Sequence, residues 1–174
     1  MNREDLSKKL RSLGITEAME GACIMPEYAE AMDLVDAGED MFGRPQKMTA
    51  ETYAAWKQMR TSAAQDSIEL KLVSAHRSVD YQCDLIQKKI EEGRDIEDIL
   101  CVNAMPGHSE HHTGRALDLH AGDDTPLEES FENHPAFDWL STHAASFGFR
   151  MSYPKDNTAG IDYEPWHWCF HPET

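Results

Sequence analysis

The chain has 174 residues, 40% of them apolar and 28% charged, which fits one soluble domain with a core that needs no cross-links. Lys and Arg number 16 against 32 Asp and Glu, a formal net charge of −16. That balance repels phosphate backbones and anionic lipid surfaces, so it argues against nucleic acid or a membrane as partner. Cys23, Cys83, Cys101 and Cys169 contain no CxxC pair and read as reduced, mostly buried thiols, Cys169 included. The opening MNREDLSKKL has no apolar run, so no signal peptide is expected and the cytoplasm is the expected location. No later stretch is long and apolar enough to span a bilayer.

In chain order, residues 3–13 predict a short helix with Leu6, Leu10 and Leu13 on one side and Gly14 as its stop. A second helix is expected over 27–36 after Pro26, and Asp36 to Lys47, with Gly38, Gly43 and Pro45, reads as a connection. Thr49 can cap a helix in which Trp56, Met59 and Ala63 recur at helical spacing. Ser67 to Val73 alternates, with Ile68, Leu70 and Leu72 on one face, and predicts a half-buried strand. Ser78 caps the next helix, with Cys83, Ile86 and Ile90 inward and Gly93 beyond its end; a short helix follows from about Asp95 to Leu100. Arg115 to Leu119 alternates as a strand, and the acidic stretch Ala121 to Asn133 reads as a solvated loop without the glycine-centred spacing of a calcium site. Pro135 opens a helix carrying Phe137, Leu140, Ala144 and Phe147, closed by Gly148. Phe149 to Tyr153 and Ile161 to Phe170 are the last two expected strands. Helices and strands mix without a βαβ rhythm, which predicts an α+β fold.

Two clusters carry chemistry. Pro106 to His120, PGHSEHHTGRALDLH, holds His111 in a loop turned by Gly114, and Asp118 on the strand behind it. Imidazole and carboxylate are both ordinary zinc ligands. Glu164 to Trp168, EPWHW, places Glu164 and His167 three residues apart, which puts them on opposite faces of a flat strand. Pro165 cannot join a ladder, and a break there can bring both to one site, His167 as third ligand and Glu164 off the metal as general base. Arg77, in SAHRS where strand passes into helix, can hold a carboxylate or a developing oxyanion.

These segments resemble the VanY-type zinc D-alanyl-D-alanine carboxypeptidases, part of a group with the lysostaphin-type peptidases and the hedgehog signalling domain. The pattern SxHxxGxAxD is met by Ser109, His111, Gly114, Ala116 and Asp118, and ExxH by Glu164 and His167. SxYRS…Q is met by Ser74, Arg77, Ser78 and Gln82, with His76 in place of the usual aromatic. GFR-x-SYP and WL-x-x-HA, around Phe149 and Trp139, extend the likeness to about residues 28–170. The resemblance implies one domain over 1–174, a peptidase core at 28–170 with 1–27 as an N-terminal helical extension, and a small antiparallel sheet carrying the zinc site with helices packed on it. It implies Zn2+ held by His111, Asp118 and His167, Glu164 as base, Arg77 at the transition state, and Ser109 and Gln82 near the substrate. Among neighbouring histidines, His111 alone has the family interval to Asp118, so His112 is expected to point away and His108 and His120 to lie behind the site or in solvent. The implied activity is removal of a C-terminal D-Ala from peptidoglycan-type peptides. Its alternatives are L,D-carboxypeptidase action on tetrapeptide stems and a non-catalytic binding domain of the hedgehog type.

Overall fold

Helices and strands follow from local signals in most of the chain. The computed structural model describes residues 3–172. Helix α1 is Arg3–Ser12, and α2, Glu17–Ala22, starts where the Thr16 hydroxyl accepts from the Met19 N–H. Strands β1, Val35–Glu39, and β2, Pro45–Met48, form an antiparallel hairpin. Helix α3, Ala50–Gln65, is capped by Thr49 and buries Thr52, Trp56, Met59 and Ala63 on one stripe. Strand β3, Lys71–Ser74, leads to α4, Val79–Glu91, capped by Ser78, and to α5, Ile96–Cys101. Then come β4, Ala116–His120; α6, Pro135–His143; β5, Phe149–Met151; and β6, His167–Phe170.

Strands β3, β4, β6 and β5 lie in that order in one sheet, and all three pairings are antiparallel. This is the expected α+β architecture. One face of the sheet, with Leu72, Leu117, Leu119, Phe149 and Trp168, packs on Trp56 and Met59 of α3 and Leu140 of α6. A second apolar cluster joins Leu10, Leu13 and Ile15 to Cys83 and Ile86 of α4, Ile99 of α5 and Met105. Thus α1 and the turn after it pack on α4 and α5. Among the described residues no helix is long and apolar enough to cross a membrane.

Several expectations are corrected. Residues 27–36 are not helical before β1. Their backbone pairs with a distant loop instead: Tyr28 N donates to Gly107 O at 2.8 Å and Ala31 N to His112 O at 2.8 Å. The stretch read as a connection, 36–47, contains most of the β1–β2 hairpin. Its turn is organised by Asp40, whose carboxylate accepts from Phe42 N, Arg44 N, Arg44 Nε and Gln46 Nε2. The strand expected over 67–73 begins only at Lys71, because Ile68 N closes the end of α3 on Ala63 O. Residues 129–133 form a 3-10 turn inside the expected loop, and α6 passes into another at Ala144–Phe147 before Gly148. Of the strand expected over 161–170 only His167–Phe170 forms, with Trp166 O still accepting from Leu119 N of β4 at 2.9 Å.

Candidate metal centre

Strand β4 is the middle of the site. Asp118 and His167 are direct partners across the antiparallel β4–β6 pair, so both side chains leave the same face of the sheet. That face is opposite to Leu117 and Trp168. His111 arrives from a 3-10 turn, Glu110–Thr113, begun by Ser109 and ended by Gly114 in the left-handed region at φ 67°. A Cβ on Gly114 would lie 2.6 Å from Leu34 Cδ2 and 3.3 Å from Thr49 N, so only glycine fits. Arg77 N donates to His111 O and Thr49 N to Gly114 O, which pins the turn to its neighbours. Glu164 and His167 are brought together by a β-turn closed by His167 N to Glu164 O at 3.2 Å, with Pro165 at its second position. The expected break at Pro165 is therefore a turn ahead of the strand.

His111, Asp118 and His167 each offer a ligand atom, and these atoms lie within 4.8 Å of one another, all buried. His111 Nε2 and His167 Nδ1 each sit 3.2 Å from Asp118 Oδ1. The remaining ring nitrogens are committed. His111 Nδ1 is 2.6 Å from the Ala75 carbonyl, which can only accept, so that nitrogen carries the proton and Nε2 turns a lone pair to the centre. His167 Nε2 donates to Glu110 Oε2 at 2.9 Å, which frees Nδ1 in the same way. Two imidazole lone pairs and a carboxylate converging on one point suit zinc, with a fourth position open to the cleft.

The electrostatics follow from burial. His111 is held down to about 4 by burial and by the Arg77 charge. Burial also works against a charge on His167, but hydrogen bonds to Asp118 and Glu110 outweigh it and raise it to about 10, so a metal at this centre would displace the Nδ1 proton. The same His167 contact overcomes burial at Glu110 and, with the Ser152 hydroxyl at 2.5 Å, brings Glu110 down to about 2. Asp118 lies well below the usual carboxylate range although burial opposes it, because His111 and Arg77 favour its charge. Glu164 goes the other way: burial, against the attraction of His167, raises it to about 7. Its Oε2 is 3.6 Å from His167 Nδ1. The Arg77 guanidinium pairs with Asp118 Oδ2 and donates from Nε to Ser74 Oγ at 3.0 Å.

The centre forms the floor of a cleft of about 570 Å³, lined by Arg77, Ser109, Glu164 and Trp166 among others. Four of the exposed large apolar side chains, Phe42, Tyr81, Val102 and Leu127, also line it, from four separate segments. A depression of similar size along α3 and residues 67–70 contains no such cluster. Ser109 is buried at the cleft wall and its hydroxyl accepts from His111 N. Gln82 is fully buried behind that wall, donating to Ala104 O at 2.8 Å, with its Oε1 unpaired among the described residues. His112 turns away from the centre, between Arg77 O and Gly107 N. His108 meets the carbonyls of Met25 and Pro26, and His120 meets Asp124. Glu110 escaped the sequence reading, as did Tyr153, whose ring centroid is 4.8 Å from that of His167. Position beside Ser109 and His111 was the only available signal for Glu110, since no spacing rule ties it to a histidine 57 residues away.

A two-histidine, one-carboxylate centre at the foot of a cleft, with the Glu164 carboxyl kept partly neutral beside it, defines a metal-dependent hydrolase. The family model VanY, described as D-alanyl-D-alanine carboxypeptidase, matches residues 45–173, and the chain belongs to that family. It is 32% identical over 120 residues to YodJ of Bacillus subtilis, covering 67% of this chain and 44% of that protein. It is 31% identical over 124 residues to a D-alanyl-D-alanine carboxypeptidase of Enterococcus faecium, covering 69% of this chain and 36% of that one. The chain thus spans less than half the length of these two relatives. A solved structure of the LdcB LD-carboxypeptidase is similar with a TM-score of 0.72 and 30% identity, over 83% of this chain and 71% of that one.

Proposed function

We propose that this chain is a zinc carboxypeptidase that removes a C-terminal D-Ala from peptidoglycan-type peptides. The observation that carries the reading is the placing of Glu164 and Arg77 on either side of the His111–Asp118–His167 donor set in one cleft. Bound zinc would supply Lewis acidity and lower the pKa of a water toward neutrality. Glu164 is the base. It stands beside the donor set, 3.6 Å from His167 Nδ1, and burial raises its carboxyl toward neutrality, so it could take a proton from the attacking water and return it to the leaving amine nitrogen. Arg77, fixed by Ser74 and Asp118, lines the cleft and keeps N–H donors that could hold the scissile carbonyl oxygen. Ser109 lies at the wall where the departing residue would sit. A purely recognising zinc domain has no use for a base poised near neutral beside the donor set, which favours hydrolysis over a hedgehog-type role.

The test is incubation of zinc-loaded protein with pentapeptides ending in D-Ala-D-Ala and with tetrapeptides, the products being identified by mass. Release of one D-Ala from the pentapeptide supports the reading, and no release from any stem peptide defeats it. Likeness to LdcB supports a second reading, L,D-cleavage of the tetrapeptide, and preferential turnover of that substrate selects it.

A further inference from the structure

One wall of the cleft carries positive charge that the chemistry above does not use. On α4, Tyr81, Leu85 and Lys89 follow one another at a spacing of four and line the cleft as a stripe. Lys89 is half-buried, and its Nζ donates to Asn103 Oδ1 at 2.9 Å. The buried Asn103 cannot turn over, because its Nδ2 donates to Ile99 O at the end of α5. Its oxygen therefore faces the ammonium.

The end of α4 brings a second cation to the same place. Gly93, at φ 89°, donates to Ile90 O, and Arg94 N donates back to Lys89 O at 3.1 Å. This paired closure of a helix end folds residue 94 over residue 89. Both side chains line the cleft. Glu128, Glu129, Asp162 and Glu164 line it too, yet among the described residues none forms an ion pair with Lys89 or Arg94. Glu92, one turn away, pairs with Lys88. Burial and the charges of Arg94 and Arg77 lower the Lys89 pKa against the smaller pull of Glu164 and Glu92, so a further anion would favour the ammonium.

We propose that Lys89 and Arg94 form a carboxylate subsite of the cleft, oriented by Asn103, which binds a carboxylate of the peptide substrate and sets specificity. It rests on the peptidase reading. Two sources share that chemistry. One is the free C-terminal carboxylate, one residue or roughly 3.5 Å of chain beyond the scissile carbon. The other is a side-chain carboxylate on a residue ahead of the cleaved bond.

The experiment measures equilibrium binding of synthetic D-Ala-D-Ala peptides to zinc-loaded Glu164→Gln protein. One arm compares free C-terminal acid with C-terminal amide. The other compares glutamate with glutamine at each upstream position. The preference for the acid should be roughly tenfold to a hundredfold in one arm and fall at least fivefold on adding Lys89→Met. Lys89→Arg should restore it. The exposed Arg94→Gln, which leaves the backbone closure intact, should give a smaller loss in the same arm. Zinc content should stay unchanged in every variant. Acid preferences in both arms equal to those without the added substitution overturn the subsite, as does absence of any acid preference. The peptidase reading is tested separately by turnover of the unmutated protein, so a subsite that binds carboxylates without turnover defeats only that reading.

Discussion

Strands β4 and β6 present two faces made from neighbouring residues with opposite requirements. Leu117, Leu119 and Trp168 enter a dry core against α3 and α6, while Asp118 and His167, one residue away in sequence, enter the metal centre. Both faces are equally buried, which is why burial by itself says nothing about role. The dry face gains from every apolar atom it excludes from water. The site face concentrates two imidazoles and four carboxyls or guanidinium groups, and all but Glu164 have a partner from a different segment. Stability therefore resides mainly on one side of the sheet and chemistry on the other, and substitutions can separate them.

The largest separation is expected at Glu164. Glu164→Gln should lower kcat by roughly 10² to 10⁴, in line with loss of a general base, while zinc content measured by atomic absorption stays at one per chain. Normal cleavage by that variant would remove Glu164 as the base. On the dry face, Leu117→Ala should cost about 2–5 kcal/mol in chemical denaturation, with the metal still bound by the protein that remains folded. A loss of zinc affinity larger than that fraction unfolded would show that the faces are not independent.

A stability measurement on the metal-free protein turns the comparison round. Glu164 has a folded pKa of about 7 against an ordinary 4.5, so its proton is bound more tightly in the folded state. That contribution is full below pH 4.5 and is lost as pH rises through 7. Metal-free Glu164→Gln should consequently be more stable than the unmutated chain at pH 8, by at most roughly 3 kcal/mol, and the gap should close toward pH 4. A pH-independent difference would show that burial does not hold the carboxyl up. The smallest expected effect is at Glu110. Glu110→Gln keeps the shape but weakens the hold on the His167 tautomer, and zinc affinity in chelator competition should fall tenfold to a hundredfold. Unchanged affinity would leave Glu110 a bystander.

Helices were the most legible part of the sequence. Thr49 and Ser78 mark the starts of α3 and α4 by capping, a signal that needs only three or four residues. The errors lie where a segment finds its partners far away. Residues 27–36 have helical spacing, but the amides of Tyr28 and Ala31 bond to the loop that carries His111. Residues 161–166 look extended, but the β-turn at Pro165 interrupts the strand, which starts only at His167.

At the site, the sequence by itself determined the kinds of donor and the intervals between them: His111 seven residues before Asp118, and His167 three after Glu164. Those intervals survive in any fold because they are covalent. Only the tertiary structure decided which ring nitrogen of each histidine faces the centre, since Ala75 O and Glu110 reach them from 36 and 57 residues away. The same holds for the base. A glutamate in a sequence has an ordinary affinity for protons, and it is the exclusion of water around Glu164, built by the turn, β4 and the cleft wall together, that moves it toward neutrality.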